Sequence, residues 1–522
     1  MLILLLATIC YMPVFAQIRI EKSEPMTTKS DESHKIILLK SGRTFYFNTK
    51  VKDKQHCLEV SVFDKERKLV SSHLLTGEWT TKDVRSMEIC AIYEIGGEPV
   101  VFIRHIEKKI QSLFRLRINP DDGTILKEDI LKSLPDQHRF GANRAILSMM
   151  PGKITVEKDN ATDAYAVIVF DVNANGLAGP ITVQHYDQRH RLINSGLFTS
   201  NSTGRVTKYM GACVDGTKAV FLTVYNEYHN PAITSLVSSN DKPNYITLAK
   251  LAVSDSVFTS TKLDFTEDFK DTYIQMVCND ERNSLQMVLN SLVKYKSGNT
   301  QLFLCFLASI NRETLKVESV KPLSARTIDA YGKQNMPGGD PFTGLPNGVF
   351  LNKDHGITLL EQDKGGGFNY YKGRIGIAKM SATGEDKAGY MISPTSAVAV
   401  SVKTFYHNAR LRGFTRSGFG SYYYFSRPGQ DYVILNERIK KLNTYTRRER
   451  RARKTKMNTL CYTLKNGNIS ADFIFGAPTR KKEGTNCSID AISDDQNGTI
   501  ATLMEYEHKR HTEKRLVWLH FD

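Results

Sequence analysis

Short runs in which apolar and polar residues alternate, each ending in a polar turn, recur along the whole chain. In the clearest, Phe114, Leu116 and Ile118 alternate with Arg115 and Arg117. The turn Asn119, Pro120, Asp121, Asp122, Gly123 follows, and Thr124, Ile125 and Leu126 resume the strand pattern. A period of two marks a strand with one buried face. Asp, Asn and Gly supply the local hydrogen bonds and positive φ that tight hairpins use. Similar copies are residues 58–63 turning at 64–67, and 183–186 turning at 187–190. Other copies turn at 254–256, 311–313, 383–386 and 466–468, and further strand-like runs at 164–170, 219–225 and 285–293 fall between turns.

The turn centres lie near 65, 121, 188, 255, 312, 384 and 467, at intervals of 55 to 83 residues. Three or four strands per unit, repeated seven times, is the pattern of propeller blades. The last unit offers runs at 487–492, 499–506 and 515–521, then stops where a fourth strand belongs. A short alternating run at 17–21 has no unit of its own. Pairing the two completes an eighth blade and removes two sheet edges that would otherwise be open to aggregation. The expectation is an all-β, multi-bladed β-propeller over residues 17–522, with eight blades favoured and seven next, closed by N- and C-terminal strands. Two tandem β-sandwich domains would give many of the same strands. The chain resembles secreted β-propeller proteins in a general way. It has no WD dipeptide or kelch double-glycine pattern throughout, so the resemblance implies architecture and not activity.

Composition agrees with strands: aromatic and β-branched residues are plentiful, and long Ala/Leu/Glu-rich runs are absent. The first 16 residues are apolar and uncharged, with Val14 and Ala16 at the −3 and −1 positions of a cut before Gln17. They read as a signal peptide, although no basic residue precedes the apolar run. The expected location is therefore secreted, periplasmic or cell-envelope, with no transmembrane segment in the mature chain. Seven cysteines remain beyond Cys10, far apart and without a CxxC or Cys/His cluster, so no disulfide framework is indicated.

Charge points to partners. The chain carries 71 Lys and Arg against 55 Asp and Glu, a net +16, none of it in the leader. An exported basic protein meets anionic polysaccharides or acidic protein surfaces; nucleic acid is not expected. Two insertions interrupt the repeat, at 327–350 and 406–456. The first reads as loop, with Gly, Pro and Asn and no periodicity; the glycine-rich stretch 365–374 follows it without a phosphate-loop context. The second interleaves Arg410, Arg412 and Arg416 with Tyr422 and Tyr424, then runs into Arg447, Arg448, Arg450 and Arg451. Guanidinium forks grip carboxylate or sulfate, and aromatic rings stack on sugars. These nine residues are the candidate ligand-binding set. Alternate residues of 422–425 would equally face a core, and the 447–456 run would equally be a solvated loop.

Chemistry of other kinds finds little footing. Asp171, Asn173, Asn175 and Gly176 open like a calcium loop, but the twelfth position is Thr182 where a bidentate Glu belongs. No metal or cofactor is expected. Nucleophile, zinc-protease and Cys/His signatures are absent. Asp329, Asp340 and Glu361 are carboxylates whose separation sequence does not give. Catalytic residues are thus unassigned. The reading is an exported, non-catalytic binding or scaffold propeller for an anionic glycan, envelope polymer or acidic protein, with a carbohydrate-active propeller enzyme (glycosidase or lyase) as the alternative.

Overall fold

The structure is a computed structural model. It describes residues 18–26, 34–52, 55–80, 84–107, 110–135, 154–159, 161–172, 178–199, 205–228, 245–265, 270–294, 301–335, 342, 344–351, 356–363, 374–394, 422–438, 457–478, 483–495, 497–508 and 511–521.

Eight antiparallel sheets follow one another along the chain and form a ring, a β-propeller of eight blades. Seven blades are built from four consecutive strands each, spanning residues 34–75, 84–135, 154–198, 205–262, 270–323, 344–392 and 422–473. We letter the strands A to D from the axis outward. Middle strands are buried on both faces, as in Val100, Val101, Phe102 and Ile103, all 0% exposed. Outer strands such as Leu69–Leu75 alternate between exposed and covered positions. All seven turns expected from sequence are the C–D hairpins of these blades, at the same position in each repeat.

The eighth blade takes strands A to C from Glu483–Cys487, Thr499–His508 and His511–His520. Its outermost strand is Arg19–Lys22, paired antiparallel with the last strand so that Arg19 faces His520 and Lys22 faces Val517. The closure expected from sequence is therefore present. The run expected at 487–492 differs: its strand ends at Cys487, and residues 489–491 form a 3-10 turn instead. Ala491 is buried by that turn against blade one.

Between neighbouring blades lies one apolar layer, and there are eight such layers for eight gaps. The layer joining blades eight and one holds Trp518, Leu516 and Leu503 from one end of the chain and Tyr46, Phe63 and Ile36 from the other. Trp518 is fully buried; its indole Nε1 donates to Thr44 Oγ1 at 2.8 Å. Phe63 meets it edge-on at 5.5 Å and the Arg67 guanidinium lies 5.2 Å from its centroid. Close packing reaches the turns too. Gly123 (φ +83°) in the C–D turn of blade two presses on blade one, where a Cβ would stand 2.6 Å from Val62 Cγ2.

Two expected insertions resolve differently. Within 327–350, residues Arg326–Asn335 form an α-helix, α1, and Gly344–Leu351 is the innermost strand of blade six. The helix was hidden because its apolar face is short: only Ile328, Tyr331 and Gly332, at i, i+3 and i+4, turn inward. It is anchored at its start by Asp386, which accepts from Thr327 N at 2.9 Å and Thr327 Oγ1 at 2.5 Å. It rests on the outer strand of blade six at Gly389, where any side chain would strike the helix backbone. Within 406–456, Tyr422–Arg427 and Gln430–Arg438 are strands A and B of blade seven, so that insertion is two connections separated by a hairpin. Among the described residues no helix is long and apolar enough to cross a membrane.

Replacing Trp518 with Ala removes the largest side chain of the closing layer and should lower unfolding stability by about 3–5 kcal/mol. Thr44→Val, which deletes only the indole's acceptor, should cost about 1 kcal/mol. Urea unfolding of the three proteins measures both; equal losses would mean that the hydrogen bond, not the packing, dominates.

Candidate functional site

Antiparallel connectivity sorts every connection onto one of two faces. A–B and C–D turns emerge at one end of the sheets, and B–C and D–A connections at the other.

On the turn face, polar ties cross every seam. Arg43 Nη1 reaches Asp121 at 2.6 Å between blades one and two. Between blades two and three, Asp163 Oδ2 accepts from Gly96 N at 2.8 Å. His185 Nε2 lies 2.8 Å from Gly216 O between three and four. Arg312 Nη1 bridges Asp215 (3.0 Å) and Asp280 (2.8 Å) between four and five. Gln286 donates to Ala382 O at 3.4 Å between five and six. Lys379–Asp431 and Arg427–Asp494, each 2.7 Å, tie six to seven and seven to eight. Arg67–Glu21 at 3.1 Å completes the circuit. Here cations are spent on neighbouring blades.

The densest of these ties lies between blades two and three. Arg115 donates to Asp129 Oδ2 at 2.6 Å and to Tyr165 Oη at 2.5 Å, and Tyr165 Oη lies 3.0 Å from His190 Nδ1. Burial, and then the charges of Arg115 and Arg117, hold the His190 imidazole down to about 4. A perturbed histidine beside an arginine and a tyrosine resembles catalytic machinery. Its rings and guanidinium are buried between two sheets, with Tyr165 fully covered and Arg115 5% exposed, which makes it a structural tie.

The opposite face differs. Lys22, Phe475, Gly476, Ala477, Pro478, Glu483, Thr485, Met504, Tyr506, Glu513 and Arg515 line a cleft of about 460 Å³ between blades seven and eight, within the usual range for small-ligand sites. Blade eight builds most of it: Thr485 faces Tyr506, which faces Glu513 across three strands, and ring closure adds Lys22 from the N-terminal strand. Tyr506 Oη donates to Glu483 Oε1 at 2.6 Å. Arg515 Nε donates to Glu513 Oε1 at 2.5 Å, and its Nη1 to Ser23 O at 3.1 Å. The cleft thus offers two aromatic rings, two carboxylates, an arginine and an exposed lysine. Sequence reading missed it because its residues meet through strand register, with Lys22 coming from the far end of the chain, and carry no local motif.

The connections of this face hold the chain's charge. Between the strand ends, those of blades six to eight, residues 364–374, 393–421, 439–456, 474–482, 509–510 and 23–33, contain 22 Lys and Arg against four acidic residues, Glu24, Asp31, Glu32 and Glu449. The ten B–C and D–A connections of blades one to five contain eleven Lys and Arg against ten Asp and Glu. The strand ends that flank the basic segments belong to three successive blades, and those of blades seven and eight border the cleft.

The candidate ligand-binding residues divide accordingly. Arg410, Arg412, Arg416, Arg447, Arg448, Arg450 and Arg451 lie outside the described residues. The strands flanking their segments end on the connection face: 392 and 422 for the first three, 438 and 457 for the other four. Tyr424 is a correction. It is 4% exposed, bonded through its hydroxyl to Asp431 at 2.9 Å, and holds Lys379 at 2.8 Å, so its ring belongs to the layer between blades six and seven. Tyr422, half-buried, packs against the same layer. The spacing that drew attention to both is that of a strand with one face in the core.

Of the remaining candidates, Asp329 pairs with Lys333 at 2.9 Å and accepts from Phe342 N at 3.2 Å, which ties Phe342 to α1. Glu361 lies on strand B of blade six, while Asp340 lies outside the described residues. Asp171 is the last residue but one of strand B of blade three (Tyr165–Val172), and Asn173, Asn175 and Gly176 are outside the described residues. Thr182 pairs in register with Val169 within that blade. Among the described residues no group of three or more His, Cys, Asp or Glu is arranged to hold a metal.

No family model matches the sequence, and no curated protein matches it. Solved structures with a similar fold include prolyl oligopeptidase B from Galerina marginata, at 9% identity and TM-score 0.41, covering 94% of this chain and 56% of that one. The chain thus spans little more than half of that enzyme's length. Others are polysaccharide lyase Uly1 (10% identity, TM-score 0.37, covering 83% and 90%) and the β-propeller domain of the Trilobed protease from Pyrococcus furiosus (8%, 0.31, 97% and 94%). None of these likenesses carries a substrate or partner across to this chain.

The His190 tie has a pH signature. Its folded value lies below the ~6.5 of an unfolded histidine, so the unfolded chain takes up the proton first. Its stabilising contribution is full above pH ~6.5 and is lost as pH falls toward 4. His190→Asn keeps a residue that tolerates the observed φ of 62° and removes the titration. Urea midpoints at pH 7 and pH 5 should fall further apart in the wild type than in the variant; equal separations would show that His190 does not titrate in this window.

Proposed function

We propose that the protein is an exported, non-catalytic binding propeller whose connection face over blades six to eight recognises an anionic polymer, foremost an acidic glycan. The observation that carries this reading is the segregation of charge: 22 Lys and Arg against four acidic residues over three blades, and near balance over the other five. Charge gathered on one arc of a rigid face produces a local potential that draws polyanions and raises their rate of encounter. A diffuse excess serving only solubility would be spread around the ring.

The cleft beside this arc supports a sugar. Phe475 and Tyr506 offer ring faces, while Glu483, Glu513 and Arg515 offer acceptors and donors for hydroxyl groups. The surrounding cations supply the long-range attraction and the cleft a place for one unit of the chain. An acidic protein surface would use the cations without the cleft. The apolar leader at residues 1–16 is the support for export.

The test is retention of the purified mature protein on arrays of neutral and acidic glycans at two salt concentrations. Acidic glycans should be retained, with affinity falling at least ~10-fold between 50 and 200 mM salt, as expected when several cations are engaged. Replacing Arg447, Arg448, Arg450 and Arg451 by Gln should abolish most of this without shifting the thermal transition. Tyr506→Ala should weaken glycan binding while leaving binding to a synthetic polyglutamate unchanged. Turnover of any glycan, or retention indifferent to salt and to the four substitutions, would overturn the proposal.

A further inference from the structure

The innermost strands of blades four and five, Arg205–Asp215 and Lys270–Asn279, bring two cysteines together at the wall of the ring. Cys213 Sγ and Cys278 Sγ are 3.2 Å apart, although the residues stand 65 positions apart in sequence. Both are half-buried, unlike Cys57, Cys305, Cys461 and Cys487, which are fully covered. The Cys278 sulfur and then burial hold the Cys213 thiol well above its ordinary value. We propose that Cys213 and Cys278 are an oxidisable pair that forms an inter-blade disulfide.

The geometry needs little change. A disulfide has sulfurs about 2.05 Å apart, so the pair must close by roughly 1 Å between strands that already pack side by side. Neighbouring contacts fix the approach. Arg312, from the C–D turn of blade five, clamps Asp215 at the end of one strand and Asp280 just beyond the end of the other, at 3.0 and 2.8 Å. The apolar layer of Phe221, Leu248, Leu285, Met287 and Phe306 backs both cysteines. The loop that the bond would close contains the other three strands of blade four, so it would lock one blade to the next where the turn-face ties do so only by charge.

The chemistry balances with a low-molecular-weight disulfide as oxidant. The Cys278 thiolate attacks oxidised glutathione and expels one glutathione thiolate. Cys213, on losing its proton, displaces the second glutathione from the mixed disulfide. Two protein thiols are oxidised to one disulfide, one external disulfide is reduced to two thiols, and the two protons pass to the glutathione released. In an oxidising compartment such pairs stay closed.

Purified full-length chain would be reduced, then incubated with oxidised glutathione, alkylated under denaturing conditions and mapped by mass spectrometry. The expected result is a peptide linking Cys213 to Cys278, two mass units lighter than the reduced pair. Cys57, Cys305, Cys461 and Cys487 should remain alkylated. The oxidised protein should melt several degrees higher than the reduced form, and C213S or C278S should lose both the link and the rise. Recovery of Cys213 and Cys278 as separate alkylated thiols, as stable glutathione adducts, or joined to other cysteines would overturn the assignment. The wild-type peptide map decides this even where a serine variant fails to fold.

Discussion

Everything in this structure depends on four residues, Arg19–Lys22, pairing with the last strand of the chain. A blade buries its two faces only against neighbours, so a row of eight would leave two sheets with one bare apolar face each. Pairing the first strand with the last brings blade eight against blade one and creates the layer around Trp518. The remaining layers are local, made by blades adjacent in sequence. The closing layer takes its buried core from both ends of the chain, and it carries the greatest cost in loop closure; Ile18 and Ile20 of the first strand also cover the layer between blades seven and eight. Trp518, Tyr46 and Phe63 give it the large buried surface that such a contact needs.

Closure also decides what the two faces can do. Once the ring is fixed, the turn face is held by short connections and seam-crossing ties, with Arg312, Arg115 and Lys379 each engaged by carboxylates of their own or a neighbouring blade. Cations fastened in this way have little left for a partner. The other face receives the longer connections, which tolerate length and composition because the sheets beneath bear the packing. The cleft between blades seven and eight draws on closure as well, since Lys22 reaches it only when the first and last strands meet and Arg515 donates to Ser23 O just beyond that strand.

Much of the architecture was legible in the sequence because hairpin chemistry is local. Asn119 to Gly123, Asp64 to Arg67 and Asp187 to His190 announce C–D turns through residue types that favour positive φ and side-chain acceptance, and the repeat follows from their spacing. Helix α1 escaped because three inward residues over ten positions do not make a period, and Gly332 reads as a breaker until Met391 is seen packed over it. Tyr424 stood out for its aromatic neighbours, yet alternation placed it in the core. The cleft was invisible for a different reason: Glu483, Tyr506 and Glu513 are unremarkable individually and become neighbours through strand register. The concentration of charge over three blades likewise has meaning only after connectivity assigns each segment to a face.

Hydrogen–deuterium exchange of the amides of residues 19–22 and 511–520 tests the closure most directly. If the ring is sealed as described, the amides of both strands that donate across their shared ladder exchange slowly and are released together, in a single opening event. Exchange of residues 19–22 at the rate of an unstructured peptide, with 511–520 still protected from its other neighbour, would show an open ring and contradict the account.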